Sequence, residues 1–355
     1  MKMNKKILFI SIFISAAALA YFFLSFLPLE TELHLTPEWT VDISTAVQSA
    51  DDGEVLLPFR LGRNMGYFTE SGKITLNERV PYKATISKKL FSTYSSDAEN
   101  TKVFDNEGNE FCVISGAGFP FIQEERIFLL PPGGFSFAII DGKDGTQKSL
   151  YEHTSPITSL SSSEKGICAG FANGDFLIFE PDGNLRASLS PGGSEFSAIF
   201  GGAISNDGNM FACVSGLEPQ RMVLYRDEGT YKKIVFHEFL KTSLLRQTYM
   251  HFSENDKFVY FDSSDSLVVV DTEKLESIYI PLEGMILDIQ ESSVNNTVFV
   301  LSRKARTYTV TILEQYKRRT GEFSFNAQSA FILTEGGSLF IGRDNNISRM
   351  AISKE

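Results

Sequence analysis

From about residue 30 onward, apolar and polar residues alternate in short runs, and helical spacing is scarce. The stretch NGDFLIFEPDGNLRASL, residues 173–189, shows the pattern: an apolar run, a Pro-Asp-Gly-Asn turn, then alternation. Period-two alternation gives a strand one apolar face. Gly, Asn and Asp between such runs supply the positive φ that tight hairpin turns require. The hairpin recurs. Gly72, Gly108, Gly145, Gly183, Gly229 and Gly321, with Lys274 in the equivalent place, each separate two strand-like runs. The interval is about 36 to 47 residues, with four strand-like runs in each, which is the signature of propeller blades. A single four-stranded blade cannot bury both faces. Stacked blades can, and a closed ring also protects its edges.

The expected fold is all-β: a β-propeller of about eight four-stranded blades, with seven the runner-up, spanning 39–355. The expected blades lie near 39–80, 82–116, 118–153, 155–192, 195–241, 246–284, 285–323 and 326–355. The last repeat holds three strands, so residues 30–35, within a linker or ring-closing stretch at 29–38, are expected to add the fourth. The first repeat is the faintest. Residues 39–43 are its expected inner strand, or the closing strand if the blades number seven.

Ahead of the repeats, residues 7–27 form an apolar run without charge, preceded by Lys2, Lys5 and Lys6 and followed by Pro28. About 21 residues at roughly 1.5 Å each match the hydrocarbon core of a bilayer. Residues 7–28 are therefore expected to be a transmembrane signal-anchor helix in the inner membrane. The positive-inside rule keeps residues 1–6 in the cytoplasm and places the propeller on the periplasmic side. The AAALA at 16–20 also fits a cleavage site, although the apolar run continues past it. The first cysteine, Cys112, is too distant to carry a lipid.

Composition narrows the partners. Hydrophobic residues make up 43% of the 355-residue chain and the formal net charge is −11. A general nucleic-acid binder needs a basic face, so nucleic acid is excluded as the main partner. Cys112, Cys168 and Cys213 stand apart in apolar contexts and read as buried thiols, with one bridge left open outside the cytoplasm.

No motif assigns a catalytic, metal or cofactor residue. His34, His153, His237 and His251 lack metal-ligand spacing and read as turn or surface histidines. DGKDG at 141–145 and DNEGNE at 105–110 occupy repeat turns and do not fit a calcium loop. No phosphate loop, dinucleotide fingerprint or nucleophile elbow is present. What remains is a candidate interaction surface. Phe119, Phe121 and Phe135 lie in Phe-rich turns, where aromatics serve either as interface anchors or as inter-blade packing. Arg303 and Arg306, with Lys304, precede a strand pair that Arg318 and Arg319, with Lys317, interrupt. The two halves are expected near opposite ends of one hairpin.

The layout GICAGFANGDFLIFEPDGNLRASLSPGG resembles the repeat of quinoprotein-type (PQQ-like) propellers, as in the outer-membrane assembly propellers of Gram-negative envelopes. The family's Trp after each Gly turn is absent, with Arg186 and Lys148 in that region. HTSPITSL at 153–160 is similar to the opening of WD40 repeats, but no Trp-Asp pair closes a blade. The resemblance implies a non-catalytic protein-interaction or envelope-assembly scaffold with a protein partner in the envelope. The alternatives are a hydrolase or lyase, or a small-ligand sensor, using the central channel. The expected inner strands are mostly Ser, Thr, Ile and Phe, with Glu124 and Asp288 among few ionisable exceptions.

Overall fold

A computed structural model describes residues 13–19, 21, 33–95, 98–123 and 125–354. Among them, thirty-one strands form eight sheets. β1 (Leu33–Asp42) joins the last sheet. The first blade holds β2 (Leu56–Leu61), β3 (Asn64–Thr69) and β4 (Ile74–Arg79). The second holds β5 (Lys83–Ile86), β6 (Leu90–Tyr94), β7 (Asn100–Asp105) and β8 (Glu110–Ser115). The third holds β9 (Phe119–Gln123), β10 (Arg126–Leu130), β11 (Ser136–Ile140) and β12 (Gln147–Glu152). The fourth holds β13 (Ile157–Ser163), β14 (Gly166–Phe171), β15 (Phe176–Phe179) and β16 (Leu185–Leu189). The fifth holds β17 (Phe196–Ile204), β18 (Met210–Leu217), β19 (Arg221–Asp227) and β20 (Lys232–Phe239). The sixth holds β21 (Met250–Phe252), β22 (Phe258–Ser263), β23 (Ser266–Asp271) and β24 (Glu276–Pro281). The seventh holds β25 (Met285–Ser292), β26 (Thr297–Lys304), β27 (Thr307–Glu314) and β28 (Arg318–Asn326). The eighth holds β29 (Ala330–Glu335), β30 (Ser338–Arg343), β31 (Asn346–Lys354) and β1.

The propeller thus has eight blades, and β1 closes the ring by pairing antiparallel with β31 from Leu33↔Lys354 to Asp42↔Asn346. Two expectations are corrected. Residues 39–43 are not the first blade's inner strand; through Asp42 they belong to the closing strand. The first blade consequently has three strands rather than four. Its β2–β3 turn at Gly62 sits beside Ser329, which precedes β29, while Glu70 of the β3–β4 turn meets Gly336, which follows β29. Its three strands therefore match the second to fourth strands of the other blades. β2 is innermost and runs opposite to the other innermost strands.

Packing lies between blades, because each sheet is radial and buries both faces. Phe128, Phe137, Phe171 and Phe179 fill one such layer between the third and fourth blades. Pro58 and Pro120 are tolerated in β2 and β9 because the innermost strands have a free edge toward the channel. The turns at Gly72, Gly108, Gly145 and Gly183 dock on the preceding blade's outermost strand. A Cβ at Gly72 would touch the Trp39 ring at 3.2 Å, one at Gly108 would meet Leu76 at 3.5 Å, and one at Gly145 would overlap the Val113 carbonyl. These turns therefore need glycine for positive φ and, at Gly145, for close approach.

Two faces follow. The lower face carries the turns between the first and second and between the third and fourth strands of each full blade. The upper face carries the remaining turns and the connections between blades. β1 begins on the lower face, opposite Lys354. Phe13–Leu19 is helical, but most of the expected 7–28 span lies outside the described residues. Among the described residues, no helix is long and apolar enough to cross a membrane.

Candidate functional site

The channel is bounded by the innermost strands, and many of their polar residues clamp one blade to the next. Thr85 Oγ1 accepts from the Ile122 amide at 3.1 Å, and Gln123 Oε1 from the Ser162 amide at 2.9 Å. Across the lower turns, the Asp256 carboxylate accepts from the amides of Asn206 and Asp207 at 2.8 and 2.9 Å. His153, read from sequence as a turn or surface histidine, lies in the β12–β13 connection with its ring turned into protein. It packs on Phe171, with ring centroids 3.9 Å apart, and its Nε2 lies 3.2 Å from Asp175 in the fourth blade. The three cysteines are buried and unbridged.

A cavity of about 390 Å³ lies in the channel, lined by Phe121, Gln123, Ser159, Ser161, Arg246 and Tyr249 among others. Its cation is held: Arg246 Nη2 is 2.6 Å from the buried Asp262 carboxylate. Asp288 accepts from the Ile289 amide at 2.9 Å and from Gln290 at 3.0 Å, yet the protein around it pushes its pKa up to about 6. His251 is open to channel water but hemmed in by protein, which pushes its pKa down to about 4. At the lower mouth, Glu291 accepts from the Glu254 amide at 3.1 Å. Burial first, then repulsion from Glu254 and Asp256, pushes its pKa up to about 7. Sequence singled out Asp288 but missed Glu291, Arg246 and Tyr249, which only the ring brings to the channel. Glu124 lies outside the described residues. Among those residues, no three His, Cys, Asp or Glu side chains are placed to hold a metal ion.

The pKa of Glu291 makes stability depend on pH. An acid raised from 4.5 to about 7 keeps its proton in the folded chain where the unfolded chain has lost it. Stability therefore falls as pH rises through that window. His251 acts oppositely, its lowered pKa costing stability as pH falls from 6.5 toward 4. Between pH 6.5 and 7.5 Glu291 dominates. The melting temperature of the unmodified protein is expected to fall across that interval, and that of Glu291→Gln to stay level. Parallel melting profiles would rule out this assignment.

The candidate interaction residues are not brought into one patch. Phe119 and Phe135 lie toward the upper face of the third blade, Phe119 beside Tyr94 with its ring centroid 5.7 Å away. Phe121 lines the channel cavity and packs on Phe128 at 6.1 Å. Arg303 and Arg306 sit at the upper end of the β26–β27 hairpin. Arg318 and Arg319 lie at the lower end of β28, as the split expected from sequence. Arg318 is paired with Glu314 at 2.8 Å and Arg319 with Glu322 at 2.6 Å.

Radial blades around a channel, closed by strand pairing between the two ends of the ring, define a β-propeller. The chain belongs to the beta-propeller protein family, whose model matches residues 1–355. An uncharacterized protein of Treponema pallidum (strain Nichols) is 31% identical over 354 residues, covering 96% of this chain and 94% of that protein. Among solved structures, BamB from Moraxella catarrhalis is similar with a TM-score of 0.60 and 12% identity, covering 90% of this chain and 100% of that chain. At that identity the likeness is one of fold, and at that level the resemblance drawn from the repeats holds.

Proposed function

We propose that the protein is a membrane-tethered, non-catalytic scaffold of the cell envelope that holds a protein partner on its upper face. The observation that carries this reading is the exposure of large apolar side chains on upper-face turns and connections. Leu245 is 82% and Tyr82 74% exposed, with Phe135, Phe196 and Phe239 also exposed. Exposed aromatics of this kind are the usual anchors of interfaces. The tether supports the same choice of face. The ring begins at Leu33 on the lower face, about five residues after Pro28, a reach of at most ~20 Å. An apolar segment held in the inner membrane would turn the lower face to the bilayer and the upper face outward, on the periplasmic side. The BamB likeness adds an analogy of fold.

A hydrolase or lyase reading is disfavoured because Arg246 and Asp288 are engaged by protein partners. The channel cavity favours a small-ligand sensor as the second reading. The test is site-specific photocrosslinking in native membranes. A crosslinker at Phe135 or Leu245 is expected to give a discrete adduct that one at Leu150 or Ile278, on outer strands, does not. Adducts of equal yield from both sets, or none from either, would overturn the proposal.

A further inference from the structure

The chain carries a net charge of −11, yet one arc of the upper face is cationic. It runs over the seventh, eighth, first and second blades through Arg303, Arg306, Arg343, Arg63, Arg79 and Lys83, all exposed. Among the described residues, none of these six has an ion-pair partner. The lower face differs in degree: Lys73, Lys88, Lys232, Lys317 and Arg318 are ion-paired there, while Lys143, Lys165 and Lys274 are not. The arc is contiguous. Gly62, beside Arg63, lies near Ser329, and the Ser329 carbonyl accepts from the Asp344 amide, next to Arg343.

Three carboxylates close to the arc have other partners. Glu283 pairs with Lys304 at 3.0 Å. Asp344 accepts from the Gln328 amide at 2.7 Å, and Asp42 from the Ser44 amide at 2.7 Å. The six cations therefore break no ion pair of their own before they meet a partner.

Part of the arc is also built. Arg303, Tyr308 and Phe325 stand opposite one another in a row across β26, β27 and β28. The two rings are stacked, with centroids 5.9 Å apart and planes 9° from parallel. The Arg303 guanidinium lies 6.0 Å from the Tyr308 centroid, and the Arg343 guanidinium, from the next blade, 6.0 Å from that of Phe325. A guanidinium resting against a ring keeps its N–H fork free for a carboxylate, and the contact limits the rotamers lost on binding. Tyr308 is buried and its hydroxyl donates to the Gln328 carbonyl at 3.3 Å, so the row is anchored to the blade interface.

We propose that this arc, centred on Arg303 and Arg343, is the docking surface for an acidic segment of a protein partner, its carboxylates paired with the arginine forks. The inference rests on the scaffold reading and names the chemistry of its partner. An acidic peptide is favoured over an anionic membrane because the ring joins the N-terminal apolar segment on the opposite face. Recognition of carboxylates by unpaired arginines gives fast, salt-sensitive association.

The test is fluorescence anisotropy of a labelled octaglutamate peptide with the full-length protein in neutral detergent. Binding is expected, weakening with added salt. Arg303→Gln with Arg343→Gln is expected to reduce affinity at least tenfold, and Arg318→Gln with Arg319→Gln on the lower face to leave it within twofold. Arg306→Glu, in an exposed turn, provides a second variant that leaves the stacked row intact and is also expected to weaken binding. No binding, or equal loss from both double variants, overturns the proposal. Tighter binding to phosphatidylglycerol vesicles than to the peptide, lost in the Arg303/Arg343 variant, overturns it in favour of a lipid headgroup. The two readings fail separately: if the Phe135 and Leu245 adducts persist undiminished in the Arg303/Arg343 variant, the scaffold stands and the acidic segment falls, whereas absence of those adducts from the unmodified protein sinks the scaffold itself.

Discussion

A chain beginning at Ser44, and so lacking β1, should show no cooperative thermal unfolding. β1 is the outermost strand of the last blade, and it closes the ring with residues from the other end of the sequence. Leu33 and Leu35 pack against the cluster of Tyr308, Ile332 and Ile352. Trp39 and Val41 pack against the seam cluster of Phe68, Phe340 and Ile347, with Ile43 itself buried there. Trp39 also covers Gly72 and donates to the Glu70 carbonyl at 3.2 Å, while Arg349 reaches the same carbonyl at 3.1 Å. A fully buried large apolar side chain such as Ile43 is worth about 1.5–3 kcal/mol and the half-buried Leu33, Leu35, Trp39 and Val41 each less, so losing all five together with the seam approaches the roughly 5–15 kcal/mol by which domains are stable. Circular dichroism melting is the measurement. Adding a peptide of residues 33–43 should restore part of the transition. A truncated chain melting within about 3 °C of the full chain would show that the ring does not depend on this closure, since 1 kcal/mol shifts a domain of this size by a few degrees.

Gly145→Ala should cost at least about 4 kcal/mol, while Gly229→Ala costs about 1–2 kcal/mol. Both glycines have positive φ, 74° and 77°, so both substitutions incur the left-handed penalty. They differ in what surrounds them. A Cβ at Gly145 overlaps the backbone carbonyl of Val113 on the preceding blade, which no side-chain rotation can relieve. At Gly229 nothing lies within 4 Å. Urea unfolding of the two variants separates strain from clash. Equal costs would mean that the turn of the third blade can lift away from the second at little expense, and that docking of these turns is not part of blade packing.

The contrast between those glycines shows where sequence reading stops. Both look alike in the chain, as the Gly of a repeat turn, and the repeat interval alone made the propeller legible. The spacing held at six of the seven expected turns because each must return the chain to the same radial position; in the seventh blade the turn falls at Gln315–Lys317, and Gly321 lies within β28 opposite Ile312. The closing strand was legible as a need of the three-stranded last repeat, but its length was not. Trp39 and Val41 alternate as inner-strand residues do, and nothing local tells a strand which blade it will join.

The candidate site was legible in fragments. Arg303 and Arg306 stood out as charges in an acidic chain, and their separation from Arg318 and Arg319 followed from one strand length between them. Arg343, Arg63, Arg79 and Lys83 did not stand out, because they are single charges at turns and strand ends spread over three blades and gather only on the upper face. The same holds for the channel. Asp288 was visible as an ionisable residue in an inner strand, but the raised pKa of Glu291 arises from burial and from Glu254 and Asp256 one blade away.

By itself, then, the sequence determined the repeating unit, the all-β class, the need for ring closure and the places where glycine is required to turn. Those are local properties, set by side-chain alternation and backbone freedom within a few residues. Only the tertiary structure decided the three-stranded first blade, the identity of the strand that seals the seam, and the gathering of six unpaired cations into one arc of the upper face. These depend on which distant segments share a blade or a rim. Strand pairing and radial stacking fix that through contacts between residues hundreds of positions apart, such as Arg349 with Glu70.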